Sequence, residues 1–173
     1  MKNLSELIAT SPEEHEIFIM PNVRIIGIAK QCTFEDDNAG ISPHEDYWNE
    51  FFSFRLLIDK LPLVIKDSMV CWTGDCLKEA NYYTYMPGVI CPADTPVPNG
   101  LDYRDLPAAF VAKGVYGDQR NMADVHKYFN ELGFAACYTD LGWDAKLFLG
   151  DEEKKNHYNS PCRWLIPCQK AKA

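Results

Sequence analysis

Asp144 and Lys146 stand two residues apart in the run Trp143-Asp144-Ala145-Lys146-Leu147-Phe148-Leu149. On a β-strand that spacing puts both side chains on one face. Buried together they form a charge pair, and a lysine in apolar surroundings takes on a lowered pKa with nucleophilic or general-base character. The equal alternative is a strand pair partly open to solvent. Rings are dense along the chain: Trp48, Trp72, Tyr82, Tyr83, Tyr85, Phe110, Tyr116, Trp143, Phe148 and Trp164 form the set that matters. Aromatic faces hold planar or cationic ligands through apolar area and the ring quadrupole, at about 0.5–2 kcal/mol per cation–π contact. The competing role for each ring is packing against a helix. If Lys146 looks into a ligand cleft, strand alternation sends Asp144 and Phe148 with it, and turns Trp143, Ala145 and Leu147 toward the helices.

The cysteines and histidines offer less. Cys71 and Cys76 straddle an expected turn, but no matching CxxC or histidine pair follows, so no metal site is expected. Cys162 and Cys168 share one face of a strand. With no export signal in MKNLSELIATSPEEHEIFIM, the seven cysteines read as free or buried thiols of a reducing cytoplasm. His15, His44, His126 and His157 are scattered, His44 reads as a neutral surface residue, and no Ser/His/Asp or Cys/His order stands out. No cofactor motif is present.

These residues need elements to hold them. Glu16–Phe34 reads as extended, bent at Pro21, with Gly27 marking a bulge or a close backbone approach. Ser42-Pro43-His44-Glu45 reads as a helix start, and Trp48, Phe51, Phe52, Arg55 and Ile58 follow at helical spacing until Pro62. Met69–Thr73 and Tyr82–Ile90 read as paired strands around Gly74-Asp75. A proline-rich connector leads to a strand at 108–116. Met122, Val125, Phe129 and Leu132 then make a helical stripe closed by Gly133. Trp143–Leu149 and Cys162–Cys168 are closing strands, joined by a charged loop. Each half runs strand–helix–strand–strand, so the chain is one α+β domain, residues 1–173, with halves at about 16–91 and 106–170.

Composition narrows the class. Apolar residues make up 47% of the chain, and the net charge is −8. That excludes general nucleic-acid binding, which needs basic surface to displace counterions. No apolar run is long enough to span a membrane.

The order and spacing of several segments resemble the GyrI-like small-molecule-binding domains, which also serve as effector-binding parts of AraC-type regulators. The segments are Val23-Arg24-Ile25-Ile26-Gly27, Tyr82-Tyr83-Thr84-Tyr85-Met86-Pro87-Gly88-Val89 and Leu106-Pro107-Ala108-Ala109 with Val115-Tyr116-Gly117. Trp143–Leu149 and Leu165-Ile166-Pro167 complete them. The resemblance covers roughly residues 20–170. It implies a curved antiparallel sheet with two helices on one face and a ligand cleft on a pseudo-twofold axis. Members bind drugs, effectors or toxins, either fused to a DNA-binding module or alone; with no DNA-binding segment in this sequence, a stand-alone cytoplasmic form is expected. The alternatives the resemblance carries are hydrolysis of a reactive electrophile and association with DNA gyrase. Where the family often has a buried glutamate and a tyrosine on the penultimate strand, this chain has Lys146 and Phe148; Asp144 could take over the acidic role. The residues assigned to ligand are Trp72, Tyr83, Phe110, Asp144, Lys146, Phe148 and Trp164.

Overall fold

The computed structural model describes Leu4 and residues 14–40, 43–116, 119–137, 142–155 and 162–171. In the first half of the chain the strands are β1 (Glu16–Met20), β2 (Val23–Gly27), β3 (Lys30–Thr33), β4 (Ser68–Leu77) and β5 (Tyr82–Pro92). In the second half they are β6 (Asp102–Leu106), β7 (Ala109–Tyr116), β8 (Phe134–Ala136), β9 (Asp144–Leu149) and β10 (Cys162–Lys170). The helices are α1 (Phe34–Asn38), α2 (His44–Ser53), α3 (Arg55–Ile58), α4 (Gln119–Glu131) and α5 (Gly150–Lys155).

Among the described residues ten strands form one sheet, in the order β1-β7-β10-β9-β4-β5-β2-β6, with β3 beside β5 and β8 beside β10. The neighbours pair antiparallel. Outward from the central β4–β9 pair, β5-β2 on one side mirrors β10-β7 on the other. In chain order the units are β2-α2-β4-β5 and β7-α4-β9-β10, so the fold is the expected α+β tandem repeat.

Two short connectors show how strongly the sheet curls. β1 at one end of the strand order reaches β2, near the other end, through only Pro21 and Asn22. β6 reaches β7 through only Pro107 and Ala108. Two residues span under about 11 Å even fully extended, so the two sides of the sheet must be drawn together. The Ala108 N–H donates to Asn22 Oδ1 at 2.7 Å, tying the connectors to each other. Inside the curl lies a core that includes Phe18, Met20, Ile25, Val70, Trp72, Met86, Leu147 and Leu165.

Both larger helices cover the opposite face. In α2, Trp48 and Phe51 are buried against Tyr83, Tyr85 and Phe148, and Glu45 and Asp46 in the first turn suit the helix dipole. Ser42, the expected cap, lies outside the described residues. In α4, Val125 and Phe129 are fully buried one turn apart and pack on Ala112, Trp164 and Ile166. Gly133 closes α4 with φ of 77°, a left-handed conformation that favours glycine.

Two glycines permit close layers. A Cβ on Gly27 would meet the Pro87 carbonyl oxygen at 2.0 Å, and one on Gly114 would meet Val125 Cγ2 at 2.0 Å.

Three expectations change. The strand before Gly74 does not turn there: β4 continues to Leu77 with a register shift between Gly74 and Leu77, and the chain reverses through Lys78–Asn81. The connector contains a strand, β6, whose Asp105 accepts from Arg24 Nε at 2.6 Å and from Arg24 Nη2 at 2.9 Å. Trp143, Ala145 and Leu147 face into the curl, while Asp144, Lys146 and Phe148 face the helices. The helices therefore cover the face that carries Asp144, Lys146 and Phe148, the reverse of the expected arrangement.

Candidate functional site

Antiparallel residues directly opposite one another share a face, so the register draws the floor of the candidate site. One row runs Gly114–Trp164–Lys146–Cys71–Pro87 across β7, β10, β9, β4 and β5. The next row places Asp144 opposite Thr73 and Thr73 opposite Tyr85. At about 4.8 Å per strand, Asp144 and Tyr85 lie roughly 10 Å apart.

Lys146 Nζ sits 3.8 Å from the centroid of the Tyr116 ring. A cation at that distance gains from the ring quadrupole without a full counter-charge. Asp144 is half-buried and accepts a hydrogen bond from Trp164 Nε1 at 2.8 Å. Burial pushes its carboxyl above the ordinary range, while the Trp164 hydrogen bond and the Lys146 charge pull it back. Trp164 is itself held edge-on by Tyr116 at 5.9 Å and by His126 at 5.8 Å.

The opposite wall is built from α2 and β5. His44 stacks on Tyr85 with ring centroids 3.8 Å apart and planes 5° from parallel. Tyr85 Oη accepts from Trp48 Nε1 at 3.0 Å. Burial lowers the His44 pKa; Asp37 opposes the shift and the Lys146 charge adds to it. His44 and Lys146 thus feel one another across the cleft. Behind His44, Tyr83 Oη donates to Asp37 Oδ2 at 2.7 Å and lies 3.4 Å from His44 Nε2. Cys32 Sγ lies 3.9 Å from the same nitrogen.

The thiols nearest the floor are poor nucleophiles. Burial pushes Cys71 up to about 12 despite the Tyr85 hydroxyl and Lys146, which both lower it. It pushes Cys162 up to about 11. A thiol with such a value carries almost no thiolate at neutral pH. Among the described residues no three of His, Cys, Asp or Glu converge to hold a metal ion.

Of the residues assigned to ligand from sequence, Asp144, Lys146, Phe148 and Trp164 share the helix-covered face. Phe148 is almost wholly buried, edge-on to Trp48 at 5.9 Å, so it supports the α2 wall. Tyr83 lies behind His44. Phe110 is on the same face but packs on Phe134 at 5.2 Å, under the far side of α4. Trp72 points into the curl, opposite the cleft, where its buried Nε1 has no acceptor among the described residues. Sequence reasoning missed His44 as a wall residue and left Tyr116 and Tyr85 out of the chosen set. The parity of Tyr116 with Gly114 and the place of His44 at the start of α2 were the available signals.

No family model and no curated protein matches the chain. Solved structures do. Over 90% of this chain and 94% of the other, it superposes on SAV2435 bound to tetraphenylphosphonium with a TM-score of 0.58 at 11% identity. A hydrolase encoded by lin2189 from Listeria innocua gives 0.59 at 8% identity, over 96% and 98% of the two chains. A chain of the EcmrR–DNA complex gives 0.51 at 11% identity, over 91% of this chain and 58% of that one. At such identities the likeness is one of fold, and the fold is that of the GyrI-like domains.

Proposed function

We propose that the cleft between α2 and α4 binds a small, partly aromatic molecule bearing a carboxylate or carbonyl oxygen. The observation that carries this reading is Lys146, a cation at the floor held over a tyrosine ring, between a wall of Trp164 and Tyr116 and a wall of His44 and Tyr85. The rings sandwich a flat body and the ammonium takes its oxygen. The two pseudo-symmetric halves, residues 16–91 and 106–170, supply one wall each. The drug-bound SAV2435 structure supports a small-molecule site on this fold. A tetraphenylphosphonium-like cation would meet Lys146 at the floor, so an anionic preference separates this chain from that neighbour.

The test is a thermal-shift panel of matched aromatic anions, neutral carbonyl compounds and lipophilic cations. A site ligand raises stability by RT ln(1 + [L]/Kd). Shifts for anions or carbonyl compounds that vanish in Lys146→Met support the reading. Shifts for cations alone, or none at all, overturn it.

A second reading is supported by Asp144. A half-buried carboxyl with a raised pKa, oriented by Trp164, suits general acid–base work. The Listeria innocua neighbour is called a hydrolase. In this reading Asp144 activates water against a reactive electrophile. Product formation that survives Asp144→Asn excludes it. The gyrase-binding alternative draws on the resemblance and on the net charge of −8, and a complex insensitive to salt would count against it.

A further inference from the structure

A cavity of about 700 Å³ opens at the Ser68–Leu149 end of the β4–β9 pair, away from Asp144. Its volume lies within the roughly 300–1,000 Å³ of small-molecule sites. Phe51, Ile58, Leu61, Leu63, Met69 and Val89 give it an apolar interior. It is separate from the cleft, because Trp48 stands between them: the indole donates to Tyr85 on the cleft side and packs edge-on against Phe51, 5.8 Å away, on the cavity side.

The rim is charged: three acids, Asp59, Asp67 and Asp151, face four bases, Arg55, Lys66, Lys154 and Lys155, which leaves one positive charge in surplus. Asp59 pairs with Arg55 at 3.5 Å. Asp67 pairs with Lys154, and Asp151 lies 3.4 Å from the same ammonium. Two further lysines line the rim, Lys66 and Lys155, both exposed. Neither forms an ion pair with a carboxylate among the described residues. On a chain whose net charge is −8, an apolar hollow whose surplus charge is positive is a local reversal.

We propose that this cavity is a second binding site, taking an amphiphile with an apolar chain and a single carboxylate head. The chain enters between Phe51, Ile58 and Met69. The head stays at the mouth, where Lys66 and Lys155 meet it without stripping its water.

The experiment is calorimetric titration of the full chain with octanoate, nonanoate and decanoate at submicellar concentrations, with 1-decanol and decyltrimethylammonium as matched heads. Expected are one carboxylate per chain, affinity rising about fourfold per added methylene as each CH₂ is buried, decanol about tenfold weaker, and no binding of the ammonium. Lys66→Glu with Lys155→Glu, both at exposed positions, should erase the preference for decanoate over decanol. Circular dichroism checks that this variant folds. No decanoate binding would overturn the proposal, as would equal affinity for all three heads. So would loss of decanoate binding in Lys146→Met with full binding in the double lysine variant, because the ligand would then occupy the cleft. Failure of the aromatic panel in the cleft leaves this result unaffected, so the two proposals stand or fall separately.

Discussion

The two sides of the proposed site, one on α2 and β5 and one on β9 and β10, use similar parts and are finished differently. Each has an indole that donates across the face: Trp48 to the phenol oxygen of Tyr85, and Trp164 to the carboxylate of Asp144. Each has a histidine whose pKa is lowered by burial, His44 stacked flat on Tyr85 and His126 edge-on to Trp164. Each has a glycine on its outer strand that admits a close layer, Gly27 against backbone and Gly114 against a side chain. One wall is a relay of phenols and imidazole with the Asp37 carboxylate behind it. The other holds a pair of charges. The similar parts come from different elements, since Trp48 lies on α2 and Trp164 on β10, so the likeness of the walls is one of composition, not of matched positions.

The largest difference should come from the glycines. Gly27→Ala drives a Cβ into the Pro87 carbonyl, which belongs to a paired strand and cannot move aside. Roughly 3 kcal/mol or more should be lost in denaturant unfolding, the upper end for overpacking. Gly114→Ala meets the Val125 side chain, both methyls and the Cβ, and should cost about 1–3 kcal/mol. Adding Val125→Ala should return part of that loss, whereas no side-chain truncation should rescue Gly27→Ala. Rescue of both, or of neither, would break the distinction between backbone and side-chain contact.

The tryptophans come next. Trp164→Phe strips a hydrogen bond from a charged acceptor, worth about 1.5–3 kcal/mol, and Trp48→Phe strips one from a phenol, worth about 0.5–1.5 kcal/mol. Unfolding midpoints of the two variants should rank in that order. Losing its donor should also raise the Asp144 pKa further, readable from carboxyl NMR titration; an unchanged value would remove Trp164 from the electrostatics of the floor.

The pH dependence separates the walls again. Asp144 keeps its proton to higher pH when folded than when unfolded, so its contribution to stability is fully present below the ordinary carboxylate value. That contribution is lost as pH rises through the raised one. In Asp144→Asn that slope should disappear. Anion binding should then stop strengthening toward low pH, since no Asp144 charge remains to be neutralised. The histidines have the opposite sign. His44 and His126 resist protonation when folded, so stability should fall as pH drops from about 6.5 through their lowered values. His44→Gln should remove the part owed to the relay wall, His126→Gln the part owed to the charged wall. Thermal unfolding between pH 7.5 and 4.5 measures both, and these should be the smallest of the effects.

The repeat was readable because its carriers obey simple periods. Val125 and Phe129 fall on one helical stripe, and Ala145 and Leu147 alternate with Lys146 and Phe148 along a strand. β6 escaped because Asp102-Tyr103-Arg104-Asp105 has no apolar alternation; it is held by pairing with β2 and by the Arg24–Asp105 ion pair, which are non-local. The side on which the helices lie was not readable either, since alternation divides a strand into two faces without saying what covers each. Trp72 and Trp164 are similar as residues, and register alone sends one into the curl and the other to the cleft. His44 looked like a surface residue because its partners, Tyr85, Tyr83 and Cys32, arrive from strands distant in sequence.

The passage through Pro21 and Asn22 has a further bearing, on cooperativity. β1 pairs with β7 in the second half, while β2, two residues on, pairs with β5 in the first. The buried Lys113 of β7 stands opposite Glu16 of β1. Neither half can therefore melt without pulling a strand from the other. Internal repeats often unfold piecemeal, but this crossing should bind the two into one unit that melts in a single transition, with calorimetric and van't Hoff enthalpies that agree.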